Sequence, residues 1–297
     1  MQGSMTALVT PFVPGAAQID EAALRQLVDW QIREGTDGLV PCGTTGESPT
    51  LDEAEAARAI RITVEEARGR VPVIAGCGTN STRHTVDKIR KARELGADAA
   101  LVVAPYYNRP TSEGLFLHYR AAAREGGLPV VLYNIPGRTA VDVSNETIVR
   151  LFSELGPALA GVKEATGSIA RTVELLERTE GRLDIFAGDD AMTLATLAVG
   201  GRGVVSVASN VVPGEMARLV DAFFSSDWAT AQAQQRRLGP LMRALFMETN
   251  PIPVKAAMAL LGRMHGELRL PLVAASTATV VQLRTALSAL GALGETR

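Results

Sequence analysis

An apolar run followed by an amphipathic segment recurs eight times along this chain, and this alternation constrains the fold more than any other feature. Glycine and turn residues bound the apolar runs, as they bound buried strands. The runs cover residues 5–12, 38–43, 71–78, 99–106, 128–136, 159–166, 183–190 and 203–210. The intervening segments, such as 20–35 and 52–69, carry apolar residues at helical spacing and acidic residues in their first turns. The pattern predicts eight strand–helix units.

The hydrophobicity of these runs is continuous rather than alternating, which is typical of parallel strands covered on both faces. Eight such units favour a (β/α)8 TIM barrel. A doubly wound open sheet is the alternative, but it usually has a glycine fingerprint after the first strand, where this chain has TPFVPG. We therefore expect a barrel that carries the active site over residues 1–226. Residues 227–297 are expected to form a C-terminal helical extension packed on the barrel.

Composition excludes several classes of partner. Of the 297 residues 46% are hydrophobic and 21% charged, which is typical of a globular protein with a sizeable core. The net charge is −2 and the sequence has no basic cluster, so nucleic acid is not an expected partner. No apolar run approaches the roughly 20 residues of a membrane span, and the N-terminus lacks the layout of a secretory signal. Cys42 and Cys77 form neither a CxxC pair nor a disulfide framework, and we expect two buried thiols in a cytoplasmic protein.

Polar residues concentrate where the predicted strands end. In a barrel of this type the catalytic groups project from the C-terminal ends of the strands. The residues at those ends are Thr44, Thr45, Glu47, Tyr106, Tyr107, Tyr133, Asn134, Arg138, Lys163, Glu164, Asp189, Asp190, Ser206, Ser209 and Asn210. The clustering predicts an active site at this end of the barrel.

Lys163 lies inside an apolar run, where a charged side chain is unusual. Burial disfavours the ammonium and lowers a lysine's pKa, so the neutral amine becomes available to attack a carbonyl carbon. The alternative is a structural lysine paired with Glu164 or with an acid on a neighbouring strand. Adjacent residues of a strand point to opposite faces, so Glu164 is poorly placed for this pairing, and the chemical interpretation is favoured.

Two further motifs suggest chemistry less strongly. In YNIPGRTA (133–140) the phenol of Tyr133 can pass protons and the guanidinium of Arg138 can hold a carboxylate. The alternative is a packed tyrosine and a solvated loop arginine. The backbone N–H groups of CGTTGES (42–48) suit an anion, although the motif is not a P-loop.

Metal chemistry has little support in the sequence. The three histidines are scattered without ligand spacing, so no zinc site is expected. Asp189 and Asp190 suit a divalent cation, but a helix N-terminal cap at this GDDAMTL segment is the favoured interpretation. We expect neither a metal nor a cofactor.

The motifs GTTGES, APYYNRP, YNIPGRTA, GVKEATG, AGDD and NPIPVK occur here in the order and spacing of one family. Over essentially its whole length the chain resembles the dihydrodipicolinate synthases, also called 4-hydroxy-tetrahydrodipicolinate synthases, which are class I pyruvate aldolases with a (β/α)8 barrel. The resemblance implies that Lys163 forms a Schiff base with pyruvate. The derived enamine then attacks L-aspartate 4-semialdehyde on the way to diaminopimelate and lysine.

The same resemblance assigns roles to other positions. Those that match the family's proton relay are Tyr133, Thr44 and Tyr107. Thr45 and the main chain near Val205 match the site of the pyruvate carboxylate, and Arg138 matches the group that holds the semialdehyde's carboxylate. In the family the residue matching Tyr107 reaches into a neighbouring subunit, which implies a homo-oligomer, commonly a dimer of dimers.

The resemblance also implies a possible allosteric lysine site. Lysine-sensitive bacterial members bind lysine at a subunit interface, at positions matching 49, 53, 56, 80, 84 and 106. This chain keeps Asn80 and Tyr106 but departs at Pro49, Glu53, Ala56 and His84. Because His84 stands where those members have a glutamate, the ε-ammonium of lysine loses its expected partner. Glu53 offers a carboxylate in compensation. We expect weak or absent inhibition by lysine.

Two other functions are weighed against the synthase. N-acetylneuraminate lyase and the 2-keto-3-deoxy sugar acid aldolases share the lysine and the tyrosine, but Arg138, Tyr107 and the second threonine of GTTGES favour the synthase. A non-catalytic barrel that binds a keto acid or a protein partner is the other alternative. Such a barrel would not need all three of Lys163, Tyr133 and Thr44, so their presence together favours an enzyme.

Overall fold

The computed structural model describes residues 1–293; residues 294–297, the end of the predicted C-terminal extension, lie outside the described residues. Within this range eight parallel strands form one barrel, which confirms the predicted (β/α)8 fold. The strands are β1 Gly3–Ala7, β2 Gly38–Val40, β3 Ile74–Gly76, β4 Ala99–Val103, β5 Val130–Asn134, β6 Leu159–Glu164, β7 Ile185–Ala187 and β8 Gly203–Ser206. Each strand begins within one of the predicted runs or within a few residues of it.

The barrel closes between β2 and β3. Hydrogen-bonded neighbours run in the order β2-β1-β8-β7-β6-β5-β4-β3, which leaves one seam. A parallel bridge between Leu39 and Val73 crosses this seam, and the Gly76 N–H donates to the Pro41 carbonyl at 2.9 Å. A Cβ atom at position 76 would lie 2.0 Å from the Cys42 carbonyl oxygen, so the seam requires glycine there.

Helices follow the strands and cover the barrel. In the described part of the chain they are α1 Glu21–Arg33, α2 Glu53–Ala67, α3 Thr82–Glu94, α4 Ser112–Gly126, α5 Pro136–Thr139, α6 Asn145–Leu155, α7 Ile169–Arg178, α8 Thr193–Ala198, α9 Pro213–Phe224, α10 Trp228–Ala244, α11 Ile252–Leu260 and α12 Thr277–Ala289. Most begin where a side chain caps the first free N–H groups; at α2, Asp52 and Glu55 form a reciprocal capping box. None of the described helices combines the length and the hydrophobicity that crossing a membrane requires.

Two apolar layers explain why the strand sequences are continuously hydrophobic. One layer fills the barrel interior and consists of Met5, Ala7, Val40, Ile74, Ala99, Leu101, Val131, Tyr133, Phe186 and Val205. The other lies between the strands and the helices, with residues such as Leu132, Val162 and Ile185. Each strand therefore buries both faces, as predicted for a parallel sheet.

Several strands end earlier than the apolar runs that predicted them. β1 ends at Ala7, whereas its run continues to residue 12. Leu8, Val9 and Phe12 are buried in the loop that follows, and Lys255 and Arg269 from the C-terminal part of the chain lie over the Phe12 ring. Because a buried loop needs the same apolar residues as a buried strand, the sequence pattern does not mark the boundary.

The C-terminal helices pack on the barrel's own helices. α10 contacts α8 and α9, and α12 contacts α10 and α11. Asp227 caps α10 by accepting from the Thr230 N–H at 3.0 Å. The predicted division of the chain at residue 226 falls between α9 and α10, and it stays a prediction.

Candidate active site

Lys163 projects from β6 into the barrel, where its side chain is 5% exposed. It stands directly opposite Tyr133 of β5, and its Nζ lies 4.3 Å from the centroid of the Tyr133 ring. Burial lowers the pKa of Lys163 to about 8; the charge of Arg138 adds to this effect and that of Asp190 opposes it. About one molecule in ten then carries the neutral amine at pH 7, against about one in 3,000 at an ordinary lysine pKa. The amine is thus prepared to act as a nucleophile.

The pairing of Lys163 with Glu164 that the sequence left open is wrong. Glu164 points out of the barrel, where its Oε2 accepts from the Arg171 Nε at 2.9 Å. Its other oxygen accepts from the Thr166 N–H at 2.8 Å. The alternation of side chains along β6 separates the two neighbours, as the sequence argument expected.

Tyr133 provides a buried phenol beside the amine. Its side chain is 4% exposed, and burial raises the pKa of Tyr133 to about 12, while the charge of Arg138 and a hydrogen bond with Thr44 oppose the rise. The phenol therefore keeps its proton at neutral pH. Thr44, Tyr133 and Lys163 form one connected group at the top of the barrel, which the sequence predicted from their places at strand ends.

The loop after β2 presents Thr45 to the same region. Two hydrogen bonds close the turn in this loop: the Gly46 N–H donates to the Gly43 carbonyl, and the Glu47 N–H donates to the Thr44 carbonyl, both at 3.1 Å. Thr45 is buried, and its hydroxyl accepts from the Nδ2 of Asn250 at 3.0 Å. A hydroxyl that accepts in this way keeps its own hydrogen free to donate to a substrate.

Asn250 was not predicted as a site residue, although it opens the NPIPVK motif. It precedes α11, and its backbone carbonyl accepts from the Nη2 of Arg138 at 3.0 Å. The segment before α11 thus joins the loop after β2 to α5, which carries Arg138. The guanidinium is exposed apart from this contact, so it is held at one end and free to bind an anion at the other.

The strand ends of β7 and β8 are fixed by a buried carboxylate. Asp190 accepts from the N–H groups of Val207 and Ala208 at 3.1 and 2.8 Å, and burial raises its pKa. These bonds hold the chain just after Val205, which lies in the barrel interior. The predicted capping role holds for Asp189, which accepts from the Ala191 N–H at 2.9 Å, but it is wrong for Asp190.

Not every polar residue at a strand end faces the barrel opening. Asn134 and Glu164 point outward and bond to each other at 3.4 Å. Asn210 ties the loop after β8 to β1 by donating to the Ala7 carbonyl at 2.7 Å and accepting from the Val9 N–H at 3.0 Å. Ser206 accepts from the Ser209 N–H at 2.8 Å. These residues hold the barrel rim together.

Tyr107 stands apart from the group around Lys163. It follows β4 in a left-handed backbone conformation with φ of 72°, and its side chain is 89% exposed. A residue with a side chain rarely adopts this φ. Folding of one chain therefore does not bury Tyr107 beside Tyr133.

A cavity of about 880 Å³ opens on the outer side of β2 and β3. Five of the six positions that match the family's lysine site line it, namely Glu53, Ala56, Asn80, His84 and Tyr106, whereas Pro49 is not part of the lining. Cys42 and Cys77 lie at the same cavity as buried free thiols, and burial raises the pKa of each thiol to about 12. Two buried thiols are what the sequence predicted.

Residues 1–290 match the model of the dihydrodipicolinate synthetase family. The 4-hydroxy-tetrahydrodipicolinate synthase of Anaeromyxobacter dehalogenans is 51% identical over 292 residues, and that of Nitratidesulfovibrio vulgaris is 49% identical over 290 residues; each alignment covers 98% of both chains. The crystal structure of dihydrodipicolinate synthase from Aquifex aeolicus covers all of both chains at 42% identity and superposes with a TM-score of 0.96. The chain belongs to the dihydrodipicolinate synthetase family.

Proposed function

We propose that this protein is a 4-hydroxy-tetrahydrodipicolinate synthase, which condenses pyruvate with L-aspartate 4-semialdehyde in the biosynthesis of diaminopimelate and lysine. The observation that carries the proposal is the buried amine of Lys163, with its pKa lowered to about 8, beside the phenol of Tyr133. The full-length relatives with about half of their residues identical carry this activity in their names.

The first step forms an imine on Lys163. Its neutral Nζ attacks the ketone carbon of pyruvate, a C–N bond forms, and the oxygen leaves as water after it has gained protons. Tyr133 is suited to deliver a proton to the departing oxygen, because its raised pKa keeps the phenol protonated and Thr44 is bonded to it. By the resemblance, Tyr107 completes this relay.

The pyruvate carboxylate is bound by the loop after β2. The hydroxyl of Thr45 accepts from Asn250, so its hydrogen can be directed at a carboxylate oxygen. The main chain near Val205, which Asp190 holds in place, is the second carboxylate contact that the family resemblance implies.

The second step joins the two substrates. Tyr133, which has given up its proton in the first step, accepts a methyl proton from the imine, and an enamine forms. The enamine carbon attacks the aldehyde carbon of the semialdehyde to form a C–C bond, and the aldehyde oxygen takes the proton from Tyr133. Arg138 is suited to hold the semialdehyde's carboxylate, because one end of its guanidinium is fixed on Asn250 and the rest is exposed. The product then cyclises and releases Lys163.

We further infer that the active protein is a homo-oligomer, at least a dimer and by the resemblance a dimer of dimers. The exposed Tyr107 supports this, because its role in the relay requires a neighbouring subunit. The two buried free thiols favour a reducing compartment, and we place the protein in the cytoplasm.

Product analysis tests the proposed function against its alternatives. Pyruvate is supplied with aspartate semialdehyde, with N-acetylmannosamine or with a sugar-acid aldehyde, and condensation is expected with the semialdehyde. Efficient condensation with either of the other aldehydes instead would identify a related aldolase. Borohydride trapping with pyruvate should label Lys163, whereas a barrel that only binds keto acids would gain no covalent adduct.

A further inference from the structure

A buried ion pair lies beneath the loop that carries Thr44 and Thr45. The Nζ of Lys255, from α11, lies 2.5 Å from the Oε1 of Glu47, and the two residues are 0% and 2% exposed. Lys255 also donates to the Thr10 carbonyl at 2.9 Å and lies 4.1 Å from the centroid of the Phe12 ring. The α11 helix is thereby joined to the loops after β1 and β2.

The second oxygen of Glu47 is held by the C-terminal segment as well. Its Oε2 accepts from the backbone N–H of Arg269 at 3.1 Å. The guanidinium of Arg269 pairs with Glu55 at 2.5 Å and donates to the Thr50 carbonyl at 2.8 Å. Both carboxylate oxygens of Glu47 are therefore occupied by residues from beyond the barrel, and neither reaches the site.

The backbone at Glu47 is strained. Its φ of 55° lies in the left-handed region, which costs free energy for a residue with a side chain. The same residue closes the turn over Thr44 and Thr45 through its N–H. The conformation of this turn thus depends on contacts that hold Glu47 in an unfavourable conformation, and the pair with Lys255 is one of them.

Stability alone is a poor reason for a fully buried ion pair. Burying both charges removes their hydration, and a well-packed apolar replacement is often as stable or more stable. A pair at fixed geometry does, however, fix the position of a loop. Because Thr45 lies two residues from Glu47, this loop position decides where its hydroxyl points.

We propose that the Glu47–Lys255 pair is a positioning device for substrate binding: it holds the Thr44–Thr45 turn where Thr45 and the turn's N–H groups bind the carboxylate of the keto acid. Neither residue touches the reacting atoms. The inference rests on the proposed function, because it names the part of the molecule that sets the affinity for pyruvate.

The test removes the ion pair without leaving a buried charge. The double variant Glu47→Gln/Lys255→Met is compared with the wild type in folding, by circular dichroism and thermal unfolding, and in pyruvate saturation of borohydride trapping and of condensation. We expect a folded protein whose half-saturating pyruvate concentration rises about tenfold, while that of the semialdehyde stays within twofold. Glu47→Asp keeps the charges but shortens the side chain, and it should raise the pyruvate value in the same direction. It serves as the test if the double variant does not fold.

Glu55→Gln is the matched control, because it breaks the Arg269 contact but leaves the Glu47–Lys255 pair intact. It should leave pyruvate saturation within twofold of the wild type. A folded double variant, or a folded Glu47→Asp variant, with wild-type pyruvate saturation would overturn the positioning role. If the wild type itself gains no adduct with pyruvate, the proposed function fails, and this inference fails with it.

Discussion

Lys163 and Tyr133 face each other across adjacent strands, with the amine 4.3 Å from the centroid of the phenol ring. The residues that follow them, Glu164 and Asn134, are also opposite each other, on the outer face of the same two strands. One side of this strand pair therefore carries the two proposed catalytic residues, and the other carries contacts between the strands and α7.

Imine formation should depend on pH through Lys163. Only the neutral amine attacks pyruvate, so the rate of borohydride trapping should rise with pH and level off above a midpoint of about 8. An exposed lysine would give a midpoint near the ordinary value of 10.5. The measurement is the initial trapping rate at saturating pyruvate between pH 6 and pH 10. Lys163→Ala should remove the adduct while the protein stays folded, whereas Lys91→Ala, at an exposed lysine, should keep it.

A midpoint near 10 would show that burial does not activate Lys163. Undiminished labelling of Lys163→Ala would show that another lysine reacts.

Arg138→Ala should weaken use of the semialdehyde far more than formation of the pyruvate imine. The lost guanidinium–carboxylate contact contributes on the order of 2 kcal/mol, or about 30-fold in kcat/KM for the semialdehyde. Arg138→Lys keeps the charge but loses the two parallel hydrogen bonds, and it should restore only part of the activity. Steady-state kinetics with both substrates varied, beside borohydride trapping with pyruvate alone, measure the two effects. Equal losses in trapping and condensation would remove Arg138 from its assigned role.

Tyr107→Phe should lower condensation by on the order of tenfold to a thousandfold, because the ring stays but the proton relay is lost. The exposed position of Tyr107 adds a second expectation. A mixture of Tyr107→Phe and Lys163→Ala subunits, unfolded and refolded together, should regain activity, since one mixed site holds both Lys163 and Tyr107. Separately refolded variants are the control. Wild-type turnover of Tyr107→Phe would exclude it from the relay, and absence of complementation would place Tyr107 in its own chain's site.

Glu164→Gln should destabilise the fold. The carboxylate pairs with Arg171, and their side chains are 4% and 13% exposed, so the variant leaves a largely buried guanidinium with only the half-exposed carboxylate of Asp142 as an ionic partner. The free energy of unfolding should fall by about 3 kcal/mol, measured by urea denaturation. Glu113→Gln breaks the ion pair with Arg150, in which both side chains are more than half exposed, and should change stability little. Similar stability of the two variants would show that the outer contacts do not hold the strands.

The sequence predicted those site features that depend on local pattern. Lys163 and Tyr133 lie in the second half of an apolar run and Thr44 directly follows one, and the rule that barrel sites lie at strand ends placed them together. Because successive side chains of a strand point to opposite faces, the sequence also predicted that Lys163 and Glu164 lie on different sides of β6. The strand boundaries were less predictable, because buried loop residues such as Phe12 are as apolar as strand residues.

Contacts between distant segments were beyond the sequence pattern. Glu47 and Lys255 are 208 positions apart, and Asn250 meets Thr45 across 205 positions. Nothing in the local sequence of either partner indicates the other, since these pairs exist only because the C-terminal helices return to the barrel opening. Asp190 was misassigned for a related reason: its partners belong to the next strand's loop and not to its own helix.

The cavity beside β2 and β3 leads to a last prediction, that L-lysine inhibits this protein weakly or not at all. A bound lysine needs an anion or several acceptors for its ε-ammonium. At the cavity the position of the expected glutamate is taken by His84, and the positive charge of Lys88 and Lys91 offsets that of the carboxylates of Asp52 and Asp87 in the same lining. Loss of a charged partner weakens binding by about 1.5–3 kcal/mol, or roughly tenfold to a hundredfold. The carboxylate of Glu53 compensates only in part, because it is exposed to water.

A condensation assay over a range of L-lysine concentrations measures the inhibition and tests this prediction. His84→Glu returns the carboxylate to the cavity and should lower the inhibitory concentration of lysine at least tenfold, while turnover without lysine stays unchanged. Tyr106→Ala removes an aromatic wall of the cavity and controls for binding elsewhere. Strong, saturable inhibition of the wild type that Tyr106→Ala abolishes would contradict the prediction. In that case Glu53, which lines the same cavity, would be the carboxylate that holds the ammonium, and Glu53→Gln should then relieve the inhibition.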